Sequence, residues 1–370
     1  MPTSARLRRG LVFFWLGLAI VTAPSCGTVK FYRQAIGGQA EIWRKSRPNE
    51  RAIADPAVPE KVKAKLRTVA EIRDYADRIG LPARKQYASY ADLGRPHVVW
   101  VVTATPEFST ELHTWWYPII GRLKYRGFFS EREARTEAGR LKGAGLEVSV
   151  SGVDAYSTLG YFNDPVLNTF VNRSNPELAE LILHELTHQR LYLSGDTDFN
   201  EALATAVGQT AAQRWLAERG DREWLARYRF ALGVVGRFYD LALSTRDRLE
   251  ELYRRAGTQS NPSQKLTDAE RNALRREKAA IVGAFERKAR ALAAQTRGVL
   301  RMDRFFAEPV NNARLSVVTT YFRLVPDFQR QLTACGGDFE AFFSRMEALG
   351  RLPKAERLRA LKNSTFPMGN

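Results

Sequence analysis

Residues 184–188 read His-Glu-Leu-Thr-His, and no other stretch narrows the folds open to this chain as much. An α-helix sets residues four apart on one face, so a helical pentad lets His184 and His188 reach one ion at about 2.0–2.1 Å. Glu185 lies one step round that helix, where its carboxylate can take a proton from water at the ion's fourth position. The pattern therefore demands a helix, and the surrounding residues supply one. Asn175 is a candidate N-cap, Pro176 suits the first turn, and Leu178, Leu181, Ile182 and Leu186 recur at buried helical spacing. A chance pentad of this kind arises in about one chain in a hundred of this length. The plain alternative is a helix with two unrelated histidines, which the chain's total of four histidines weakens.

Two histidines leave zinc short of the three protein ligands that a catalytic site normally uses. With two cysteines in the whole chain, Cys26 and Cys335, no cysteine-based zinc site is available and the third ligand must be His or a carboxylate. Glu201 is the best candidate. It stands near the start of a second predicted helix, Asp198 to Ala204 and onward, after a turn around Ser194, Gly195 and Asp196. An antiparallel helix pair would bring it back beside the histidines, although an acid in a first turn also simply favours the helix dipole. His97 and His113 are the other possible ligands, each alone in a predicted strand, where a satisfied or surface histidine is the usual finding.

Periodicity sets this motif between two regions. Helices are predicted at Phe31–Lys45 and from about Glu60 to Ile79, separated by a linker with Pro48, Pro56 and Pro59. Strands follow at His97–Ala104 and Leu112–Tyr125. Ser130 to Glu133 has the S-x-x-E form of a capping box, opening a helix that ends near Gly143 and Gly145. Leu146–Ser151 is a further strand, and Val153–Phe162 reads as extended chain. From Ala211 on the pattern is almost wholly helical, and Lys265–Arg297 could pack on the body or stand out as an arm. The expected fold is α+β and helix-rich, with a small mixed sheet packed on the motif helix and an all-helical region behind it. The expected divisions are a leader (1–26), an N-terminal helix and linker (27–59), an α+β catalytic region (60–210) and a helical region (211–370).

The leader places Arg6, Arg8 and Arg9 before an apolar run, Leu11 to Ala23, in the layout of a secretory signal. About thirteen residues make a helix of about 20 Å, short of the roughly 30 Å hydrocarbon core, so export is expected rather than a stable span. Cys26, preceded by Ser25, stands where a bacterial lipoprotein signal places its acylated cysteine, which implies a membrane tether. The formal charge of +17 raises nucleic acid as a partner. Basic and acidic residues alternate at helical spacing in Ser244–Arg255 and Thr267–Lys288, however, as on a solvated face, and no recognition module is present. Nucleic-acid binding is therefore not expected.

The order of these pieces resembles the gluzincin metallopeptidases, in which an HExxH helix is followed by a helix bearing a glutamate ligand after an asparagine. Asn200-Glu201 matches that pair. The interval from His188 to Glu201 is shorter than in thermolysin-like members, and Thr205 stands where those carry an aspartate supporting the first histidine. The runs from Ala155 to Thr169, His184 to Tyr192, Phe199 to Thr205 and Asn311 to Leu315 look like a bacterial family of putative aminopeptidases. That resemblance implies a zincin-like fold, one Zn²⁺ and hydrolysis of a peptide or protein in the cell envelope. No G-x-M-E-N motif is present, so the sequence itself does not indicate exopeptidase action.

By analogy with zincins, Ala155–Leu159 should be an edge strand that pairs with bound peptide, and Tyr156 or Tyr161 could donate to the oxyanion. Asn311 and Asn312 could line the cleft, or only cap the helix that begins there. Two other functions stay open: hydrolysis of a non-protein amide such as cell-wall peptide, and a membrane-tethered scaffold without activity.

Overall fold

The computed structural model describes residues 26–363 except 118–120, 156–157, 159–161, 297, 301, 303–304 and 321. The fold is α+β and helix-rich, with small sheets upstream of a large helical body. Helix α1, described over Cys26–Lys45, reaches at least five residues before the expected start at Phe31. The predicted leader before it lies outside the described residues. Among the described residues no helix is long and apolar enough to cross a membrane.

The proline-rich linker holds strand β1 (Arg47–Pro48) and helix α2 (Asn49–Ala54). Helix α3 (Glu60–Arg78) buries Val62, Leu66, Val69 and Ile72, the stripe its sequence spacing predicts. It ends at Gly80, whose φ of +80° only glycine adopts freely. That turn lets Leu81 N–H reach the Ala76 carbonyl at 2.9 Å and closes the helix in a Schellman arrangement.

Strand β2 (Ser89–Ala91) pairs antiparallel with β1 and parallel with β8 (Val166–Leu167). A second sheet has the order β6-β3-β7, from β3 (Val99–Pro106), β6 (Arg126–Phe128) and β7 (Leu146–Val153). Strand β3 pairs with β7 along its whole length, from Val99 opposite Val153 to Pro106 opposite Leu146. The expected strand Leu112–Tyr125 is instead two short ones, β4 (Trp115–Tyr117) and β5 (Gly121–Leu123). Helix α4 (Glu131–Gly143) covers the β3 sheet with Ala134, Ala138 and Leu141. The predicted capping box does not form there: Ser130 occupies the N-cap, but its side chain makes no capping hydrogen bond.

Helices α5 (Asn175–Arg190) and α6 (Thr197–Glu218) form the centre. Helix α6 is buried on nearly every side, as a helix enclosed by others is. Around it lie α5, α7 (Arg222–Arg255) and α10 (Val325–Ala334). One core joins α3, α5, α6 and the C-terminal helices through Leu66, Ile182, Leu203 and Phe342.

Residues 265–296 pack on the body. Helix α8 (Asp268–Gln295) buries Leu274, Val282 and Phe285 with Val234, Phe238 and Leu249 of α7. Lys278 donates to the Glu107 carbonyl at 2.8 Å and pairs with Glu147, which ties α8 to the β3 sheet. Helices α9 (Asn312–Thr320), α11 (Phe339–Gly350) and α12 (Lys354–Lys362) complete the chain.

Candidate metal centre

His184 and His188 project from one face of α5 toward Glu201, one turn into α6. The Glu201 Oε2 lies 3.4 Å from His184 Nε2 and 3.6 Å from His188 Nε2. Direct hydrogen bonds prefer about 2.7–3.2 Å, so both separations are long for that role. They suit a shared ion instead: donors about 2.05 Å from a tetrahedral centre stand about 3.3 Å apart. All three donor atoms lie within 4.8 Å of one another, and no other such group occurs among the described residues. Nitrogen and carboxylate donors in this number are the set that zinc takes.

Local sequence explains how the three residues meet. Ser174, not Asn175, is the N-cap of α5, and Ser174 and Glu177 form the capping box there. Pro176 fits the first turn, where its missing N–H costs nothing. After α5 the chain turns within 191–196, and Asn200 fixes that turn. Its Oδ1 accepts from Leu193 N–H at 2.8 Å and its Nδ2 donates to the Leu193 carbonyl at 2.7 Å. Asp196, at the end of the turn, is buried and bonded by Arg357 of α12 at 2.6 Å.

Helix α6 then runs back along α5, with Glu201 beside the histidines and Gly208 beside Glu180. A Cβ on Gly208 would lie 2.7 Å from the Glu180 carbonyl oxygen, so glycine permits the close approach.

The electrostatics follow from burial among these groups. Burial acts to raise the Glu201 carboxyl, but His184 and His188 outweigh it and hold the group at about 2. Burial lowers His184, yet Glu201, Glu185 and Glu180 carry it above the usual imidazole value. Glu180, one turn before His184, is pushed up by burial against the opposing effect of Tyr228, which donates to it at 2.6 Å. Glu185 is half-buried on the same helix, and its charge reaches the buried Tyr87 hydroxyl, already raised well above the ordinary tyrosine range by burial.

The alternative ligands lie elsewhere. His97 Nδ1 is 2.8 Å from Asp154 Oδ1, and its ring lies so close over Gly152 that a Cβ there would fall 2.3 Å away. His113 packs edge-on against Trp115 with ring centroids 4.7 Å apart. Strand β7, which leads toward the motif helix, is an edge of its sheet. Tyr156 and Tyr161 lie outside the described residues.

Asn311 serves as a helix cap, its Oδ1 accepting from Arg314 N–H at 2.9 Å while its Nδ2 donates to the Val148 carbonyl at 3.0 Å. Asn312 is fully buried. It donates to the Glu107 carbonyl at 2.9 Å and accepts from Tyr253 at 3.0 Å, tying β3 to α7 and α9. Cys26 lies in α1, at the edge of the described residues.

Glu180 and Tyr87 carried no signal in the sequence reading. Glu180 could have been found from its i, i+4 spacing to His184, whereas Tyr87 reaches the site only through tertiary packing.

Residues 30–361 match the family model described as putative aminopeptidase. No curated protein and no solved structure matches the chain.

Proposed function

The chain belongs to the putative aminopeptidase family, and from that membership we propose that it is a zinc-dependent peptidase with Glu185 as its general base. What carries this reading is the convergence of His184, His188 and Glu201, with Nε2 to Oε2 separations of 3.4 and 3.6 Å. These three residues would hold one Zn²⁺. When bound, the ion supplies Lewis acidity that polarises water and the scissile carbonyl.

The protein's own residues do the rest. Glu185 takes a proton from the attacking water and later delivers it to the nitrogen of the departing amine. Glu201 serves as the ionised carboxylate donor that a metal ligand must be. The α5–α6 turn, clamped by Asn200, keeps its carboxylate in place. Edge strand β7 offers backbone groups for an extended peptide to pair with. We place this activity in the bacterial cell envelope, with Cys26 as a lipid tether, on the strength of the basic and apolar leader.

Metal analysis of purified protein beside His188→Ala and Glu201→Ala tests the ligand set, and both variants should lose zinc. Glu185→Gln should keep zinc while peptide turnover falls by about 10²–10⁴-fold. A Glu185→Gln protein as active as the parent sinks the reading. Turnover of wall fragments in place of peptides would move the same chemistry to a different amide.

A further inference from the structure

Helix α1 has two unlike faces. Gln34, Gly38 and Ile42 seat it on the body. The Gln34 amide donates to the Gly127 carbonyl at 3.2 Å and accepts from Phe129 N–H at 2.9 Å, and Ile42 joins the main core. Gly38 lies so close to the Phe129 ring that a Cβ there would overlap it. The opposite face is a stripe of Arg33, Ile36, Ala40, Trp43 and Arg44, set at three- and four-residue steps, and all five are exposed. Ile36 is 51% exposed and Trp43 42%, which makes this stripe apolar at its centre. Phe162 packs edge-on against the Trp43 ring with centroids 4.7 Å apart, fixing the indole while part of it faces solvent.

The charge on the stripe is of one sign. The one carboxylate of α1, Glu41, turns to the body, where it pairs with Arg95 at 2.7 Å and Lys45 at 3.0 Å. Arg33 and Arg44 form no ion pair among the described residues. An isoleucine and a tryptophan between unpaired arginines match the chemistry of a lipid interface, where indole sits at headgroup level and basic side chains meet anionic phosphates. Helix α1 is also the described element that the leader enters, with Cys26 at its edge. A single acyl chain on Cys26 binds a bilayer only marginally, and stable attachment takes a second contact. Ile36 and Trp43 follow Cys26 by about 15 and 25 Å along the helix axis, within reach of the same surface when that axis lies in its plane.

We infer that this stripe of α1 is a membrane-docking face, which seats in the headgroup region of a bilayer containing anionic phospholipid. Ile36 and Trp43 enter the interface, and Arg33 and Arg44 pair with lipid phosphates. The inference rests on the placement of the chain in the cell envelope and is independent of the peptidase chemistry. Docking through α1 turns a loose tether into a fixed seat, so that the body meets the bilayer in one orientation.

The test uses the full-length protein with vesicles of phosphatidylcholine, made with and without phosphatidylglycerol, whose acyl chains are brominated. Bromine quenches indole that reaches the acyl boundary, and the emission missing from Trp43→Phe isolates Trp43 among the seven tryptophans. With phosphatidylglycerol present the Trp43 emission should fall about two-fold or more, as for a helix seated ~5–10 Å into the interface. Quenching should be weaker in phosphatidylcholine alone, and Arg33→Gln with Arg44→Gln should erase that difference. The replaced side chains are all exposed, and an unchanged Tm checks that each variant keeps the fold. Unquenched Trp43 in protein that floats with the vesicles would overturn the docking face and leave the tether standing. Equal quenching in the two lipids, or a difference that survives loss of both arginines, would overturn it as well. A Cys26→Ser protein that still floats with Trp43 quenched would instead remove the lipid tether and leave the docking face in place. Protein that stays in the aqueous fraction overturns both.

Discussion

Asn200 holds Leu193 by both ends of its peptide environment, accepting from the N–H at 2.8 Å and donating to the carbonyl at 2.7 Å. This two-point clamp closes the α5–α6 turn and delivers the next residue, Glu201, to the histidines. Asn200→Ala removes both bonds from a buried site and should cost about 1–3 kcal/mol. Zinc affinity should fall by about 10–100-fold as well, because the ligand loses its fixed position. Thermal unfolding with and without zinc reads both effects, and a variant with unchanged zinc affinity would show that Glu201 needs no such anchoring.

Gly208 marks the closest contact between the same two helices. An added Cβ would lie 2.7 Å from the Glu180 carbonyl oxygen and 3.3 Å from both His184 N and Cβ, and backbone cannot yield as a flexible side chain would. Gly208→Ala should therefore push α6 away from α5 and cost about 1–3 kcal/mol of stability. It should weaken zinc binding in parallel, measurable by competition with a chelator. Gly233 has nothing within 4 Å of its notional Cβ, so Gly233→Ala is the matched control and should be neutral or mildly stabilising.

How much of this site was legible in the sequence depended on the range of the interactions. The His184 and His188 face is a local property of helical spacing, and Glu201 could be reached by assuming a helix pair after the turn at Gly195. The Asn200-Glu201 pair was visible only as a resemblance. Its physical reason, a side chain spanning seven residues back to Leu193, appears once the turn is folded. Single-residue signals were less secure: Ser130 has the capping spacing without the bond, while Ser174 has both and lies one residue before the cap expected at Asn175. Asn311 and Asn312 drew notice as adjacent polar residues, yet their partners, Val148 and Glu107, lie far away in sequence. The division of one long predicted strand into β4 and β5 likewise escaped a reading based on residue preference alone.

The C-terminal helix α12 has a part in the centre through Arg357, which donates to Asp196 Oδ2 at 2.6 Å with both side chains buried. Lys354 also pairs with Asp196, 2.9 Å from its Oδ1, so Arg357→Ala leaves that charge partly compensated and should cost about 1–3 kcal/mol. Since Asp196 ends the α5–α6 turn, zinc affinity should drop too. Denaturant titration of the metal-free and zinc-loaded forms separates the two effects.

Zinc binding should also be visible as stability. A ligand that binds only the folded state at 100 times its Kd adds about 2.7 kcal/mol. Calorimetric scans should show a rise in Tm with added zinc in the parent protein and none in His188→Ala. A rise of equal size in both would mean that the metal is held elsewhere.

Away from the centre, acid should loosen the α4 face of the β3 sheet through Glu137. Its carboxyl is held at about 2, chiefly by hydrogen bonds from Arg140, with burial opposing and Trp115 and Arg126 adding to the effect. The folded value lies below the ordinary 4.5, so the stabilisation is fully present above about pH 4.5 and is lost as pH falls from there toward 2. Glu137→Gln cannot lose a proton and should flatten that part of the stability profile while lowering stability at neutral pH. Paired urea titrations at pH 7 and pH 3 measure this directly. The gap between parent and variant should shrink at pH 3, and a gap that stays constant would mean that the Arg140 and Arg126 contacts contribute nothing through charge.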